Sequence, residues 1–197
     1  MAVRGRPRSF DRDHALQLIM EVFWAKGYEG TQLNDLTAAI GITPPSFYAA
    51  FVSKEAAFRE AVELYVATAG SAALRALDEG TTVQGSIRAM LQGSIDTALS
   101  APHSGGCLLI LGVVKCQAET EPLRELLRSI RKETELRIRA RLDRAVTEGD
   151  LPASSNIPVL ANYYSAVMQG LSMQARDGAT RDELEALIAP SMAPLHV

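Results

Sequence analysis

Apolar residues recur three and four positions apart along nearly the whole 197-residue chain, which is the period of an α-helix with one buried face. No stretch alternates apolar and polar residues for long enough to predict a β-strand. Residues 107–114, CLLILGVV, are continuously apolar and fit either a buried strand or a buried helix. Because the chain offers no partner strand, we predict a short helix there, buried all round, and an all-α fold of about nine helices.

The first 60 residues divide into four predicted helices. The first begins after Asp11, a favourable N-cap, and stops at Gly27. A short second helix over residues 33–40 is followed by Thr43-Pro44-Pro45, which starts a third helix because the first helical turn tolerates proline. Ser53 caps a fourth, longer helix. The second and third helices, with the turn between them, have the layout of a DNA-reading helix-turn-helix.

The remainder of the chain consists of about five more helices, separated by short stretches rich in Gly, Pro, Asp and Ser. We therefore predict an N-terminal helix-turn-helix domain over residues 1–60, joined to a larger helical bundle over residues 61–197. No run of 18 apolar residues and no signal peptide is present, so we expect a cytoplasmic protein without a membrane partner.

Charge restricts where nucleic acid can bind. The net charge is −3, so the chain as a whole does not attract DNA and any contact must be local. Arg4, Arg6 and Arg8 form the one basic segment without acids, and we expect this arm to follow a phosphate backbone. Lys54 follows the Ser53 cap, at the end of the helix dipole that favours anions, so a phosphate is expected there too. The alternative is that the neighbouring acid at position 55 neutralises it.

The predicted third helix has a small, smooth outer side. Phe47, Ala50 and Phe51 share its inner face, which leaves Pro45 and Ala49 opposite. Such a surface fits a major groove, although an ordinary surface helix poor in charge has the same composition. Residues 43–52 contain no Arg, Lys, Asn or Gln, so bidentate reading of guanine or adenine is excluded. We expect Pro45 and Ala49 to contact thymine methyls, with the N-terminal arm in a flanking minor groove.

The sequence gives little indication of redox chemistry, catalysis or metal binding. Cys107 and Cys116 are expected to be buried thiols, and a redox or ligand-contact role for them stays open. The sequence contains no arrangement of residues typical of catalysis, and His103 with Cys107 would lack two of the ligands that a zinc site needs. We expect neither an enzyme nor a bound metal or cofactor.

Residues 27–58, GYEGTQLNDLTAAIGITPPSFYAAFVSKEAAF, resemble the DNA-binding domain of the TetR family of one-component repressors. The Tyr-x-x-Phe-x-Ser-Lys-Glu run from Tyr48 to Glu55 is the most specific part. The resemblance is strong over about the first 60 residues, and the length and helix count of the remainder also fit the family.

The resemblance implies roles for individual residues at the DNA. Thr31 touches a phosphate, while Tyr48 and Lys54 clamp the backbone. The groove is lined by Thr43, Pro44, Pro45 and Ser46. Gln32 departs from the family pattern, because a hydroxyl often caps the second helix at this place. Thr31 is then expected to supply the cap, and alternatively Gln32 reaches toward the DNA.

The C-terminal helices carry a broad apolar surface, through which we expect two copies to form a homodimer that presents two reading helices to the duplex. The alternative is that this surface only closes the core of one protomer. The predicted interface residues are Val159, Leu160, Tyr163, Val167, Met168, Leu171, Leu184, Leu187 and Ile188.

The resemblance also implies a pocket for a small, mainly apolar effector in the second domain. Its expected lining residues, each of which also fits plain core, are Met90, Ser94, Cys107, Leu111 and Tyr163. The sequence is thus interpreted as a transcriptional repressor that an effector releases from a double-stranded operator. The alternative is a helical ligand-binding or protein-interaction module that does not bind DNA.

Overall fold

The computed structural model describes residues 11–102, 105–113 and 118–195, and helices and turns make up all the regular structure in these residues. The all-α prediction is confirmed. The described ranges contain eleven α-helices, against the nine or so expected, and the division of the last predicted helix in two accounts for one of the additional helices. The helices are α1 (Arg12–Gly30), α2 (Leu33–Ile40), α3 (Pro44–Phe51), α4 (Lys54–Ala67), α5 (Ala72–Glu79), α6 (Val83–Ser100), α7 (Leu108–Leu111), α8 (Glu121–Glu148), α9 (Ile157–Arg176), α10 (Arg181–Glu185) and α11 (Ile188–Ser191).

The first four helices form the helix-turn-helix region with the predicted caps. The Asp11 carboxylate accepts the His14 backbone N–H at 3.1 Å, which fixes the start of α1. Gly27, at a φ of +67°, interrupts α1 where glycine predicts a stop, and one further turn continues to Gly30. Gly41 ends α2 in the left-handed conformation.

A first apolar cluster holds this region together. Four phenylalanines, each at most 1% exposed, lie at its centre: Phe23, Phe47, Phe51 and Phe58. The cluster also takes in apolar side chains from α7, from the residues just after it and from the start of α8, which lie beyond the predicted domain boundary at residue 60: Leu108, Val113, Leu123 and Leu127. The helix-turn-helix region therefore packs directly on the second domain.

Residues 105–113 connect the two parts by hydrogen bonds as well. The indole N–H of the buried Trp24 donates to the Gly106 carbonyl at 2.8 Å, and the Tyr28 backbone N–H donates to the Gly112 carbonyl at 2.7 Å. The Cys107 backbone N–H donates to the Ser172 hydroxyl on α9 at 2.7 Å. This 105–113 segment is thus bonded to α1 on one side and to α9 on the other.

The predicted helix in the apolar run is confirmed as the single turn α7, but burial on all sides is not. Leu108 is 1% exposed, whereas Leu109, Ile110 and Leu111 are half-buried. They are half-buried because they line cavities and a surface recess. A second apolar cluster forms the core of the other domain, with residues from α5, α6 and α8–α11.

Candidate nucleic-acid interface

α3 presents one side to the core and the other to solvent. Phe47 and Phe51 are 0% and 1% exposed, which anchors the helix on its inner face. Residues 43–46 and Ala49 are exposed, as the helical spacing predicts. The outer side is therefore free in the described part of the chain, and it is held on a rigid support.

The exposed side of α3 is chemically plain. A shallow recess on it is lined by Ile42, Ser46, Ala49 and Ala50. The Ser46 hydroxyl lies 3.0 Å from the Thr43 hydroxyl, so the two form one hydrogen bond with each other. The side chains of α3 consequently offer methyl and methylene groups bordered by hydroxyls, and none of them is an amide or a guanidinium group. The nearby guanidinium of Arg12 in α1 donates to the Ala50 carbonyl at 3.3 Å and pairs with Glu60.

Tyr48 and Lys54 lie at the sides of this surface. Tyr48 is 50% exposed, and Lys54 is the first residue of α4, after a Ser53 cap that accepts the Ala56 N–H at 3.0 Å. The Lys54 ammonium lies 4.2 Å from the centroid of the Tyr28 ring, a cation–π geometry that limits where the side chain points. Burial lowers the pKa of Lys54 below its ordinary value, while the charge of Glu29 opposes that shift.

The turn between α3 and α4 has an unusual backbone. Val52 has a φ of +64° and a ψ of −54°, and it is the one described residue other than glycine with a positive φ. The Ser53 N–H donates to the Phe51 carbonyl at 2.6 Å, which makes Val52 the centre of a γ-turn. Its side chain is 78% exposed. A strained β-branched residue thus sets the path from the outer side of α3 to Lys54.

Thr31 is placed differently from what the resemblance implies. It is 0% exposed, and its hydroxyl donates to the Gly27 carbonyl at 2.6 Å. The side chain therefore closes the kink in α1, and it neither caps α2 nor offers a surface to a phosphate. Gln32 is the exposed N-cap residue of α2, and its backbone N–H donates to Asp35 at 2.7 Å. The predicted arm of Arg4, Arg6 and Arg8 lies outside the described residues.

A second candidate site lies in the other domain. Two adjoining voids of about 80 Å³ and about 60 Å³ share Cys107, Leu109, Ile110, Thr134 and Met168 in their walls, and we call them together the Cys107 cavity. An apolar cavity of about 150 Å³ holds a benzene molecule, so the two voids together suit a ligand of that size.

The five residues expected to line an effector pocket are only partly brought together. Ser94 and Cys107 line the Cys107 cavity. Met90 is fully buried in the core behind it, Leu111 lines a separate surface recess beside Gly27, and Tyr163 lies on the surface of α9. Sequence reasoning missed several wall residues, because aromatic and hydroxyl side chains on separate helices carry no shared sequence signal: Tyr65, Thr97, Thr134, Ser165 and Ser172.

Cys107 is held as a protonated thiol. The Tyr65 hydroxyl donates to its Sγ at 3.2 Å. Burial raises the pKa of Cys107 above the ordinary value of a thiol, although the bond from Tyr65 opposes the shift. At neutral pH the side chain therefore acts as a small apolar wall with a weak donor.

The predicted dimer residues divide by burial. Leu171, Leu184 and Ile188 are at most 5% exposed inside the core of their own protomer, so they are not available to a partner. Leu160, Val167, Met168 and Leu187 are half-buried. Val159 and Tyr163 are exposed, at 58% and 36%.

Four exposed residues of α9 and the half-buried Gly170 form a stripe, of which the sequence analysis predicted only Val159 and Tyr163. Residues at alternating spacings of four and three share one side of the helix, and we call them the α9 stripe: Val159, Tyr163, Ala166, Gly170 and Met173. A Cβ built on Gly170 meets nothing within 4 Å. Leu136, which is 52% exposed on α8, adds to the apolar surface of this domain. In the described part of the chain, no helix combines the length and the hydropathy needed to cross a bilayer.

Comparison with known proteins agrees with this architecture. A sequence profile of bacterial regulatory proteins of the tetR family matches residues 15–61, and one of the tetracyclin repressor-like C-terminal domain matches residues 85–189. The chain is 30% identical to the transcriptional repressor ComR of Escherichia coli K12 over 92% of this chain and 87% of ComR. It is 26% identical to the repressor BdcR of the same organism over 95% of this chain and 90% of BdcR.

Solved structures give the same result. A cysteine mutant of the TetR family regulator CifR, complexed with 26-base-pair operator DNA, superposes with a TM-score of 0.89 at 39% identity over 95% of this chain and 98% of that one. A regulator from Chloroflexus aurantiacus has a TM-score of 0.82 at 24% identity over 94% and 93% of the two chains, and it shows the common fold.

Proposed function

Because the chain belongs to the TetR family of DNA-binding transcriptional regulators, we propose that it represses transcription as a homodimer on a double-stranded operator and that a small, mainly apolar effector releases it. The family consists of regulators and not of enzymes. The relative that was solved with operator DNA supports DNA binding over a helical module that binds only ligand or protein. A regulator of this kind works where the chromosome is, so we place it in the cytoplasm.

The free outer side of α3 is the observation that carries the proposal. α3 enters the major groove with that side toward the bases, while Tyr48 and Lys54 contact the phosphates on either side. Lys54 suits this role because it is the first residue of a 14-residue helix, whose N-terminus favours anions. The proposed contacts in the described region are Thr43, Pro44, Pro45, Ser46, Tyr48, Ala49 and Lys54, and the arm of Arg4, Arg6 and Arg8 is proposed to enter a minor groove.

We propose that the α9 stripe forms the centre of the dimer interface. Ala166 and Gly170 lack large side chains, so a partner helix can approach closely, while Val159, Tyr163 and Met173 supply apolar area. Two copies related by a two-fold axis then place two α3 helices on one face of the duplex, about 34 Å or a multiple of that apart.

The effector is proposed to occupy the Cys107 cavity. Leu109 and Ile110 line the cavity and belong to the 105–113 segment, which is also bonded to Trp24 and Tyr28 of α1. A ligand that widens the cavity displaces this segment and, through those two bonds, shifts α1 together with α2 and α4, the helices on which α3 packs. Such a ligand lowers operator affinity if it binds the shifted arrangement more tightly.

The test is a binding titration of fluorescent duplexes, at several salt concentrations, with the intact chain and a Lys54→Ala variant. Loss of one phosphate contact in each protomer should weaken binding to every sequence about equally. It should also reduce the slope of log K against log salt by about 1.8, at about 0.9 for each phosphate.

Lys132→Ala is the matched control, because this exposed lysine of α8 forms an ion pair with Glu135 on its own helix. It should leave both the affinity and the slope unchanged. If Lys54→Ala behaves like Lys132→Ala, the proposed clamp is wrong. If the unmodified chain binds no duplex above the level of non-specific DNA, the proposed function itself is wrong.

A further inference from the structure

The shallow recess on the outer side of α3 is lined by Ile42, Ser46, Ala49 and Ala50. We propose that it receives the C5 methyl group of a thymine in each half of the operator, which makes an A·T pair the preferred pair at that position. This inference rests on the proposed function, since it needs α3 to lie in a major groove. It goes further by stating which base the helix selects and which side chains select it.

The lining chemistry points to thymine. Ile42, Ala49 and Ala50 contribute only apolar side-chain atoms, and Ser46 contributes a methylene and one hydroxyl. In the major groove thymine alone among the four bases presents a methyl group, beside its O4 acceptor, whereas guanine, adenine and cytosine present hydrogen-bonding groups without a methyl. An apolar recess gains from covering the methyl and loses if it covers an unpaired donor or acceptor.

The hydroxyls beside the recess are already engaged. The oxygens of Thr43 and Ser46 lie 3.0 Å apart, so one hydroxyl donates to the other. One of the two protons is thereby used inside the protein, which weakens the competing reading in which these hydroxyls select a base by hydrogen bonds. Tyr48 and Lys54 offer polar groups only at the sides of the surface.

The recess is also fixed in shape before DNA binds. Phe47 and Phe51 are buried on the opposite side of α3, with ring centroids 5.3 Å apart. The helix therefore cannot rotate to present another face without exposing these rings. A contact made by Ala49 and Ala50 costs no side-chain entropy, because alanine has no rotamers to lose.

The experiment first selects an operator from a pool of random duplexes and then replaces its thymines one at a time by deoxyuridine. This replacement removes the methyl group and leaves every hydrogen-bonding group of the base unchanged. At the thymine under the recess we expect about a fourfold loss of affinity, and about 15-fold when both half-sites are changed.

A cycle with Ala49→Gly assigns the effect to the recess. If the methyl contacts Ala49, the deoxyuridine penalty should shrink in the variant, because the two groups are then coupled. Ala89→Gly, at an exposed position of α6, makes the same change in helix propensity far from α3 and should retain the full penalty. Folding of both variants is checked by thermal unfolding.

The possible outcomes separate this inference from the function on which it rests. A chain that binds its selected operator, with less than a twofold response to deoxyuridine at every thymine, overturns the methyl recess and leaves the proposed function standing. A penalty that stays the same in Ala49→Gly also overturns it, because the methyl then lies elsewhere. A chain that enriches no duplex at all overturns the proposed function and this inference with it.

Discussion

Replacing Val52 by glycine should make the protein more stable. Val52 lies in a γ-turn with a φ of +64°, where a Cβ crowds the backbone and glycine does not. Its side chain is 78% exposed, so the substitution removes little buried apolar surface. Most substitutions of valine by glycine destabilise proteins, which makes the expected sign a specific consequence of this geometry.

The magnitude follows from three contributions. Relief of a strained backbone conformation of this kind is worth about 2 kcal/mol. The greater freedom of glycine in the unfolded chain subtracts about 0.7 kcal/mol. The one fifth of the valine side chain that is covered subtracts about 0.4 kcal/mol. The free energy of unfolding should therefore rise by about 1 kcal/mol, which corresponds to about 2–4 °C in Tm for a chain of this size.

The assay is urea unfolding followed by fluorescence of Trp24, the only tryptophan, which is 6% exposed in the first apolar cluster. All variants are compared at one protein concentration, because dimerisation makes the midpoint depend on concentration. Val52→Ala is the control, since it loses most of the side chain but keeps the Cβ. A glycine variant less stable than the parent, or an alanine variant that gains as much stability, would show that the positive φ of Val52 does not strain the turn.

Three further predictions follow from single contacts. Thr31→Val keeps the shape of the side chain but removes its bond to Gly27, so unfolding free energy should fall by about 1 kcal/mol while operator affinity measured by anisotropy stays the same. In a Cys116→Ser background, alkylation of Cys107 by iodoacetamide should keep accelerating above pH 9, because burial raises the thiol pKa and leaves little thiolate at lower pH. Gly170→Glu should leave the protomer folded, since its Cβ site is open, yet sediment as a monomer because it places a charge in the α9 stripe; a dimer would place the interface elsewhere.

Local sequence signals were sufficient for most of the helix-turn-helix region. The Asp11 and Ser53 caps, the Gly41 terminus and the proline start of α3 each depend on neighbours within four residues. The burial of Phe47 and Phe51 followed from helical spacing alone. These features were predictable because the interactions that stabilise them join residues close together in the sequence.

The failures arise where distant parts of the chain meet. Thr31 is buried because its hydroxyl closes the Gly27 kink, and α7 approaches that kink through the Tyr28 to Gly112 bond. The pattern of residues 27–33 contains no information about the 105–113 segment, which lies about 80 positions further along the chain and meets the kink only in the folded protein.

The errors in the predicted pocket and dimer residues have the same cause. An apolar residue on a helix faces either its own core or a partner, and periodicity alone does not distinguish them, so Leu171 was assigned to the interface and Met173 was overlooked. The positive φ of Val52 is likewise invisible in sequence, because a β-branched residue normally signals the opposite.

If the outer side of α3 meets a duplex, a negative charge placed there by Ala49→Glu should abolish most of the binding. The exposed side chain of Ala49 has no packing role, so the variant should unfold at the same urea concentration as the parent. A carboxylate facing the bases and phosphates should cost several kcal/mol of binding, which is a loss of more than about 100-fold on every duplex. Ala89→Glu on α6 should bind normally. A folded Ala49→Glu variant that binds within twofold of the parent would show that this side of α3 does not face the DNA.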